Sequence, residues 1–295
     1  MVLLNDKPVK FTNFPDGTLS VELSAYEMHK DTTISNSIEW HYENDAEFML
    51  VAFLKMHFDN NPLTREAKSV LYLPYVPNSR LDRVKFDTEV FTLKHFAKLI
   101  NNLHFDKVVI LDPHSNVTSA LIDNVVVVPA NICIGKAIRQ ALNWENNKLS
   151  FDDFVLFFPD EGSQKRYKTD NLTDYVAFFG NKIREWKGGK ILGLNVETHT
   201  DKGLDYLKDK TVLIIDDIIS AGGTVYHSIQ KLKTLGVKSV YAYCTHLENT
   251  MFTQEQNQLR DLLEAGDVFK GIITTDSIYN RKDKNVFVIP CNRVM

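Results

Sequence analysis

The sequence predicts an α/β protein with mainly parallel sheets, and two observations support this fold class. The first is a set of short apolar runs rich in β-branched residues, and the second is the presence of helix-like segments between them. Runs without polar alternation are typical of strands that are covered on both faces, as in parallel sheets. The runs span residues 69–76, 107–111, 124–128, 154–158, 175–179, 212–215, 239–243, 271–274 and 285–289.

One helix is predicted directly after the sixth of these runs. Val225, Ile229, Leu232 and Leu235 recur at spacings of three and four residues, which places them on one helical face. Gly236 stands where a C-terminal cap belongs. Strands that alternate with helices of this kind indicate doubly wound sheets.

The length predicts two domains. The chain has 295 residues, and we expect an N-terminal domain over residues 1–130 and a C-terminal domain over residues 131–295. Residues 108–112 and 213–217 each form an apolar strand that ends in an acid. Ligands of open α/β sheets bind outside the carboxyl ends of the strands, so these acids are candidates for binding a metal ion or a sugar.

Composition and charge argue against several classes of function. The formal net charge is −4 with both signs interspersed, which disfavours a nucleic-acid or membrane-surface binder. No apolar stretch approaches the ~20 residues of a membrane span, and the N-terminal apolar run is too short for a secretory signal. Cys133, Cys244 and Cys291 lie far apart, as is typical of reduced thiols. We therefore expect a soluble, cytoplasmic protein that binds small molecules.

The strongest local signal is the segment TVLIIDDIISAGGT at residues 211–224. An apolar strand delivers two carboxylates, and small residues then lead into the predicted helix. Glycines let backbone N–H groups approach a phosphate, and the helix N-terminus adds partial positive charge. A Gly-Gly-Thr turn alone is often a plain helix cap, but the preceding strand and acid pair make the segment far more specific. The two acids suit the hydroxyls of a ribose that carries the phosphate. The predicted ribose-phosphate residues are Asp216, Asp217, Ser220, Ala221, Gly222, Gly223 and Thr224.

This segment resembles the ribose-phosphate signature of the type I phosphoribosyltransferase fold. Most of the chain further resembles the ribose-phosphate pyrophosphokinase (PRPP synthetase) family, with its motifs in the same order. The resemblance implies two phosphoribosyltransferase-like domains, the N-terminal one on the ATP and metal side and the C-terminal one with the ribose-phosphate loop, and an active site between them. The motifs are Phe14-Pro15-Asp16-Gly17, Pro74-Tyr75, Arg80-Leu81-Asp82-Arg83, Asp112-Pro113-His114, Pro159-Asp160-Glu161-Gly162, Lys182-Ile183-Arg184 and the strand ends at 241–246 and 274–277.

The resemblance implies transfer of the β,γ-diphosphoryl group of ATP to the anomeric hydroxyl of ribose 5-phosphate, giving PRPP and AMP. It also implies Mg²⁺, ATP as co-substrate and a homo-oligomer, either a dimer or a hexamer. A histidine is an unusual Mg²⁺ ligand, so the metal role of His114 rests on the resemblance alone. The implied residues are Lys182 and Arg184 for catalysis; Phe14, Asp16, Thr18, Arg80, Leu81, Asp82 and His114 for ATP; and His114, Asp160 and Asp112 for the metal.

Departures from the family pattern leave alternatives open. Thr18 and Leu81 replace a Glu and a Gln, and Ser220 replaces the leading Asp of the ribose-phosphate loop. A hydroxyl in place of an acid favours a larger or more anionic 5′-substituent, so the same chemistry on ADP-ribose, as part of NAD metabolism, is the second reading. A phosphoribosyltransferase and a catalytically inactive synthetase-associated regulator are the remaining readings. Retention of Lys182 and Arg184 argues against an inactive protein.

Overall fold

The chain folds into two compact units, each built on its own sheet. The computed structural model describes residues 1–23, 28, 35–167, 172–184, 191–293 and 295, without the side chains of 182–184, 191–193 and 293. The units comprise Met1–Pro129 with Met295, and Ala130–Val294. The division between them falls one residue before the predicted boundary. Both sheets are mainly parallel, which confirms the predicted fold class.

The N-terminal unit contains a mixed sheet and a separate hairpin. The strand order of the sheet is β2-β1-β5-β6-β7-β8, in which β5 to β8 are parallel and β1 runs antiparallel to β5. Among the described strands, β3 and β4 pair with each other as a two-stranded sheet. The elements are β1 (Val2–Leu4), β2 (Lys7–Pro8), β3 (Phe11–Asn13), β4 (Leu19–Val21), β5 (Asn36–Trp40), α1 (Glu47–Asn60), β6 (Ser69–Leu73), α2 (Thr92–Asn101), β7 (Lys107–Leu111), α3 (Asn116–Leu121) and β8 (Val125–Val128).

Helix α2 shows how the core of this unit forms. Leu93, Phe96, Ala97 and Ile100 recur on one face at spacings of three and four, and all four are buried. They pack in one cluster with the central strands, where Trp40 is fully buried. Burial of a large apolar side chain contributes roughly 1.5–3 kcal/mol, so this face fixes the helix on the sheet.

The C-terminal unit has the strand order β11-β10-β9-β12-β13-β14-β15. All neighbouring strands are parallel except β10 and β11, which form an antiparallel pair at one edge. The elements are α4 (Asn131–Trp144), β9 (Phe154–Phe158), α5 (Glu161–Tyr167), β10 (Ala177–Arg184), β11 (Ile191–Thr198), β12 (Thr211–Ile219), α6 (Gly223–Thr234), β13 (Ser239–Leu247), α7 (Thr250–Thr253), α8 (Gln258–Ala265), β14 (Phe269–Thr275) and β15 (Val286–Ile289).

The helix predicted after the sixth apolar run is α6. Val225, Ile229 and Leu232 are buried in the core of the C-terminal unit, and Leu235 packs against that core. Gly236 has a left-handed backbone with φ of 75°, as a C-terminal cap requires. No helix in the described part of the chain combines the length and the apolar character that crossing a bilayer requires.

Two glycines of the C-terminal unit test its packing. A Cβ atom at Gly271 in β14 would lie 2.7 Å from Cζ3 of Trp144, whose ring stacks on Tyr241 at 5.3 Å. We expect Gly271→Ala to lower the free energy of unfolding by about 1–3 kcal/mol, because the ring has to shift within a packed core. Gly135→Ala is the control, since a Cβ atom on that residue of α4 meets open space. It should leave stability unchanged or raise it by up to about 1 kcal/mol. Equal urea midpoints for the two variants would contradict the packing.

Candidate active site

Strand register brings three predicted segments to the carboxyl edge of the C-terminal sheet. Strand β9 ends at Phe158, which pairs with Phe179 of β10, so residues 180–184 of β10 run past the end of β9. On the other side β9 pairs with β12, which continues through Asp216. Asp160 follows β9 between these two strands. The edge therefore carries the predicted diphosphate, metal and ribose segments of this unit.

Gly180 shows how closely β10 approaches this edge. A Cβ atom added to Gly180 would lie 2.8 Å from the carbonyl oxygen of Pro159. Only a residue without a side chain allows the strand to pass the Pro159-Asp160 turn at that distance. The Lys182-Arg184 segment is held in β10 beyond this point, with Lys182 in register with Leu194 of β11. The side chains of Lys182 and Arg184 lie outside the described residues, so their catalytic role stays a prediction.

The predicted phosphate loop connects β12 to α6. Gly222 caps α6 with a left-handed backbone, φ 80°, and its carbonyl accepts the first helical hydrogen bond from Tyr226 N at 2.9 Å. The first N–H groups of a helix have no acceptor within the helix and are available to an anion. A side chain at Gly222 would also overlap Leu259. Both conformation and space therefore demand glycine at this point.

The adjacent acids Asp216 and Asp217 lie near the end of β12, where burial makes negative charge unfavourable. The Asp217 backbone N–H donates to Asp216 Oδ1 at 3.0 Å, and Asp217 is only 7% exposed. Burial, the negative charges of Asp217 and Asp160, and a hydrogen bond with the Asp217 side chain raise the pKa of Asp216 well above its ordinary value, although the backbone bond from Asp217 acts in the opposite direction. Asp216 therefore holds its proton more tightly than an exposed carboxyl does, and a nearby cation would favour its ionised form.

A cation that the sequence did not reveal lies beside this pair. Arg166 Nη1 is 3.6 Å from Asp217 Oδ2, and the guanidinium lies 5.2 Å from the ring centroid of Tyr167. Arg166 belongs to the short helix α5, six residues after Asp160. In the sequence, Arg166 stands next to Lys165, and such a pair of basic residues is typical of an exposed surface. Only the fold shows that the two positions differ, because Lys165 pairs with Glu161 on the outside of the helix.

Asp160 has a clear local structural role. Its Oδ1 accepts from the backbone N–H of Ser163 at 2.9 Å and from the Ser163 hydroxyl at 2.8 Å. These bonds satisfy the first turn of α5, as helix-capping acids do. Asp160 also adds negative charge near Asp216. A metal contact at Asp160 would thus act alongside the cap.

The donor chemistry of this edge fits Mg²⁺ bound together with a substrate. Mg²⁺ prefers oxygen ligands, keeps several waters and is usually held by one or two carboxylates plus substrate phosphates. Asp160, the predicted metal residue at this edge, supplies such a carboxylate close to Asp216. Among the described residues, no group of three or more His, Cys, Asp or Glu side chains is arranged to hold a metal by itself. The residues therefore suit a site that the substrate completes.

The other two predicted metal residues belong to the N-terminal unit. Asp112 directly follows β7, is 4% exposed and has a left-handed backbone with φ of 44°. Its N–H donates to the carbonyl of Val128 at 2.9 Å. His114 is half-buried before the short helix α3. Sparsely populated backbone conformations recur at functional sites, which is compatible with the predicted role.

Three predicted ATP residues share the β3–β4 hairpin. Asp16 Oδ1 accepts from the Thr18 N–H at 3.0 Å and from its hydroxyl at 2.7 Å. These bonds lower the pKa of Asp16, the backbone one most strongly. Gly17 supplies the positive φ of the turn, 86°. Phe14 is 51% exposed, so its ring is available for stacking.

The remaining ATP candidates lie between β6 and α2. Arg80 and Leu81 are exposed, and Asp82 is half-buried. Asp82 Oδ1 lies 3.6 Å from Nε of Arg83, a solvated pair that contributes little to stability. The segment is thus accessible to a ligand, and its role in ATP binding stays a prediction.

The sheet order, the acid pair Asp216-Asp217 and the glycine-containing loop at 220–224 (the glycine cradle) define a phosphoribosyltransferase-type domain. In agreement, residues 167–291 match the family model described as the phosphoribosyl transferase domain. The chain superposes on the crystal structure of phosphoribosylpyrophosphate synthetase from Mycobacterium smegmatis with a TM-score of 0.67 and 18% identity, covering 97% of this chain and 87% of that one. That likeness shows the fold, two type I phosphoribosyltransferase-like units.

Curated relatives named ribose-phosphate pyrophosphokinase extend the match along the chain. Ribose-phosphate pyrophosphokinase 2 of Archaeoglobus fulgidus is 29% identical over 91% of this chain and 83% of its own length. The Methanopyrus kandleri protein is 26% identical over 94% of this chain and 86% of its own. A Clostridium perfringens relative is 29% identical over 59% of this chain, a match that spans only 51% of that relative. Over most of its length the chain is thus similar to proteins named ribose-phosphate pyrophosphokinase.

The charge on the acid pair leads to a test by pH. The raised pKa means that folded Asp216 holds its proton more tightly than the unfolded chain does. Its contribution to stability is therefore present at low pH and is lost as the pH rises through the folded pKa. We expect Asp216→Asn to raise the free energy of unfolding by about 1 kcal/mol near pH 8, and by less near pH 5.

Urea denaturation at the two pH values checks this expectation. Asp267→Asn, an exposed change in the same unit, is the control and should show no such pH dependence. A change in stability for Asp216→Asn that is the same at both pH values would contradict the charge effect.

Proposed function

We propose that the chain is an ATP-dependent pyrophosphokinase acting on a 5-phosphorylated ribose. It would transfer the β,γ-diphosphoryl group of ATP to the anomeric hydroxyl of the sugar. The observation that carries the proposal is the carboxyl edge of the C-terminal sheet, where the acid pair and the glycine cradle stand beside the overhanging strand β10. The names of the relatives support the same reaction.

The C-terminal unit supplies the groups for the sugar. The loop at 220–224 and the N-terminus of α6 bind the 5′-phosphate through backbone N–H groups, with the hydroxyls of Ser220 and Thr224 as further donors. Asp216 and Asp217 accept hydrogen bonds from the ribose hydroxyls. Mg²⁺, when bound, neutralises charge on the phosphate oxygens. These contacts hold the anomeric oxygen in one place, which is the main requirement for such a transfer.

The transfer breaks one bond to the β-phosphorus and forms another. The anomeric oxygen attacks the β-phosphorus and loses its proton, and the bond from that phosphorus to the oxygen shared with the α-phosphate breaks, releasing AMP. Lys182 and Arg184 neutralise the charge of the diphosphoryl group as it moves, Lys as a point charge and Arg as a fork. We assign ATP binding to Phe14, Asp16, Thr18, Arg80, Leu81, Asp82 and His114, and the Mg²⁺ contacts to Asp112, His114 and Asp160.

The default acceptor is ribose 5-phosphate, and ADP-ribose is the second candidate. One observation favours ADP-ribose: Ser220, a neutral residue, is half-buried at the start of the loop and is followed by the exposed Ala221. A missing negative charge there suits a 5′-substituent with an additional phosphate. In that case the product would be ADP-ribose pyrophosphate, an intermediate for NAD synthesis. A cytoplasmic homo-oligomer, dimer or hexamer, is part of the same proposal.

The acceptor is tested by measuring AMP release from ATP with Mg²⁺ and no nucleobase. We expect AMP to form with ribose 5-phosphate or ADP-ribose, and kcat/KM to differ between them by at least about tenfold, because contacts beyond the 5′-phosphate are made with only one of them. Ribose without phosphate is the control and should give no AMP above background. Absence of AMP with every sugar phosphate would contradict the proposal and favour a base-using phosphoribosyltransferase or an inactive regulator.

The predicted diphosphate site is tested by Lys182→Ala. Loss of one cation aimed at the moving diphosphoryl group should lower kcat by about a hundredfold to a thousandfold, and kcat/KM by a similar factor. Lys233→Ala, at the exposed end of α6, is the matched control and should keep the wild-type rate. Circular dichroism confirms that both variants fold. A wild-type kcat in Lys182→Ala would remove this residue from the site.

A further inference from the structure

Asn257 connects the phosphate loop to another helix of the C-terminal unit. It is 5% exposed and lies directly before α8. Its Oδ1 accepts from the Arg260 N–H at 2.9 Å, which caps the helix, while its Nδ2 donates to the carbonyl of Ala221 at 3.0 Å. A neutral amide is both donor and acceptor, so one side chain serves the helix and the loop together.

The bond to Ala221 fixes the direction of a peptide group in the loop. In a planar trans peptide, the C=O and the following N–H point to opposite sides. The peptide between Ala221 and Gly222 is trans. With the Ala221 carbonyl directed to Asn257, the Gly222 N–H is directed away from α8. In the chain this N–H directly precedes the N–H groups of the first turn of α6, which have no acceptor within their helix.

Leu259 holds the loop from the same helix. This residue is 1% exposed, and it lies so close to Gly222 that any side chain there would overlap it. The first turn of α8 therefore restrains two successive loop residues, Ala221 by a hydrogen bond and Gly222 by packing. A phosphate cradle that is already ordered loses less conformational entropy when its ligand binds.

We propose that Asn257 is a positioning residue, which orients the loop for the phosphate monoester of the sugar without touching it. The inference rests on the proposed function only for the identity of the ligand. Ribose 5-phosphate and ADP-ribose both present a phosphate on the 5′-oxygen, and either serves as a probe.

The test compares Asn257→Ser with Asn257→Ala in the full-length chain. Serine is a good N-cap, so Asn257→Ser keeps α8 capped, but its shorter side chain does not reach Ala221. We expect its urea midpoint to remain near wild type while its Kd for the probe rises about fivefold to tenfold, as loss of one hydrogen bond predicts. Asn257→Ala loses the cap as well, so it should show the same rise in Kd and a lower midpoint. Gln254→Ala removes an exposed partner of Asn257 at 3.4 Å and is the control, with unchanged Kd.

Calorimetric titration with the probe alone, without ATP, separates this inference from the proposed reaction. If the wild type binds the probe but releases no AMP from ATP, the pyrophosphokinase proposal fails, and a raised Kd in Asn257→Ser still supports the positioning role. Where AMP does form, KM for the sugar phosphate should rise in Asn257→Ser while KM for ATP stays constant. The inference is overturned by a wild-type Kd in Asn257→Ser, by equal losses for sugar phosphate and ATP, or by a wild type that binds neither ribose 5-phosphate nor ADP-ribose.

Discussion

The candidate site in the C-terminal unit depends on two adjacent carboxylates in a buried strand. Asp216 and Asp217 lie in β12 beyond its pairing with β9 and before its end at Ile219, and burial penalises the charge of Asp216. Arg166 compensates Asp217 only in part, at 3.6 Å. The positive end of α6 follows the loop and begins at Gly223, six residues after Asp217. The edge is thus prepared for a ligand that brings hydroxyl donors and a cation to the acids and an anion to the helix, and a phosphorylated sugar with Mg²⁺ satisfies both requirements.

The loop at residues 220–224 also has to keep its shape when no ligand is bound. Gly222 needs its left-handed backbone, and the contact with Leu259 leaves no room for a side chain. The bond from Asn257 fixes the preceding carbonyl. The loop therefore owes its order to α8, which packs in the same hydrophobic core as α6 through Leu259 and Leu263. Core packing thus supports the predicted phosphate loop, so we expect changes in α8 to alter the loop without direct contact with a ligand.

Much of this fold was predictable, for reasons that also explain what was missed. Every predicted apolar run overlaps a strand. For most of them the reason is burial on both faces, which requires continuous apolar sequence, although β8 and β15 are partly exposed. Strands β1 to β5 and β11 were not predicted. Strands β1 to β4 have only two or three residues each, β5 carries polar residues at 36, 37 and 39, and β11 is an antiparallel edge strand with polar residues at 195 and 197. The loop at 220–224 was visible because its signal is local. Arg166 and Asn257 were not, because their partners lie 51 and 36 residues away and no local pattern marks such contacts.

The two sets of predicted ligand residues differ in how they are held. The Asp16 carboxylate already accepts two bonds from Thr18, and Asp82 lies near Arg83. Contacts from ATP to these groups would replace existing ones, so only the difference contributes to affinity. The N–H groups at the start of α6 have no intrahelical acceptor to give up. If both predicted sites bind their ligands, the phosphate loop would exchange only water for the ligand, whereas ATP would have to displace these protein contacts or add new ones, such as stacking on the exposed ring of Phe14.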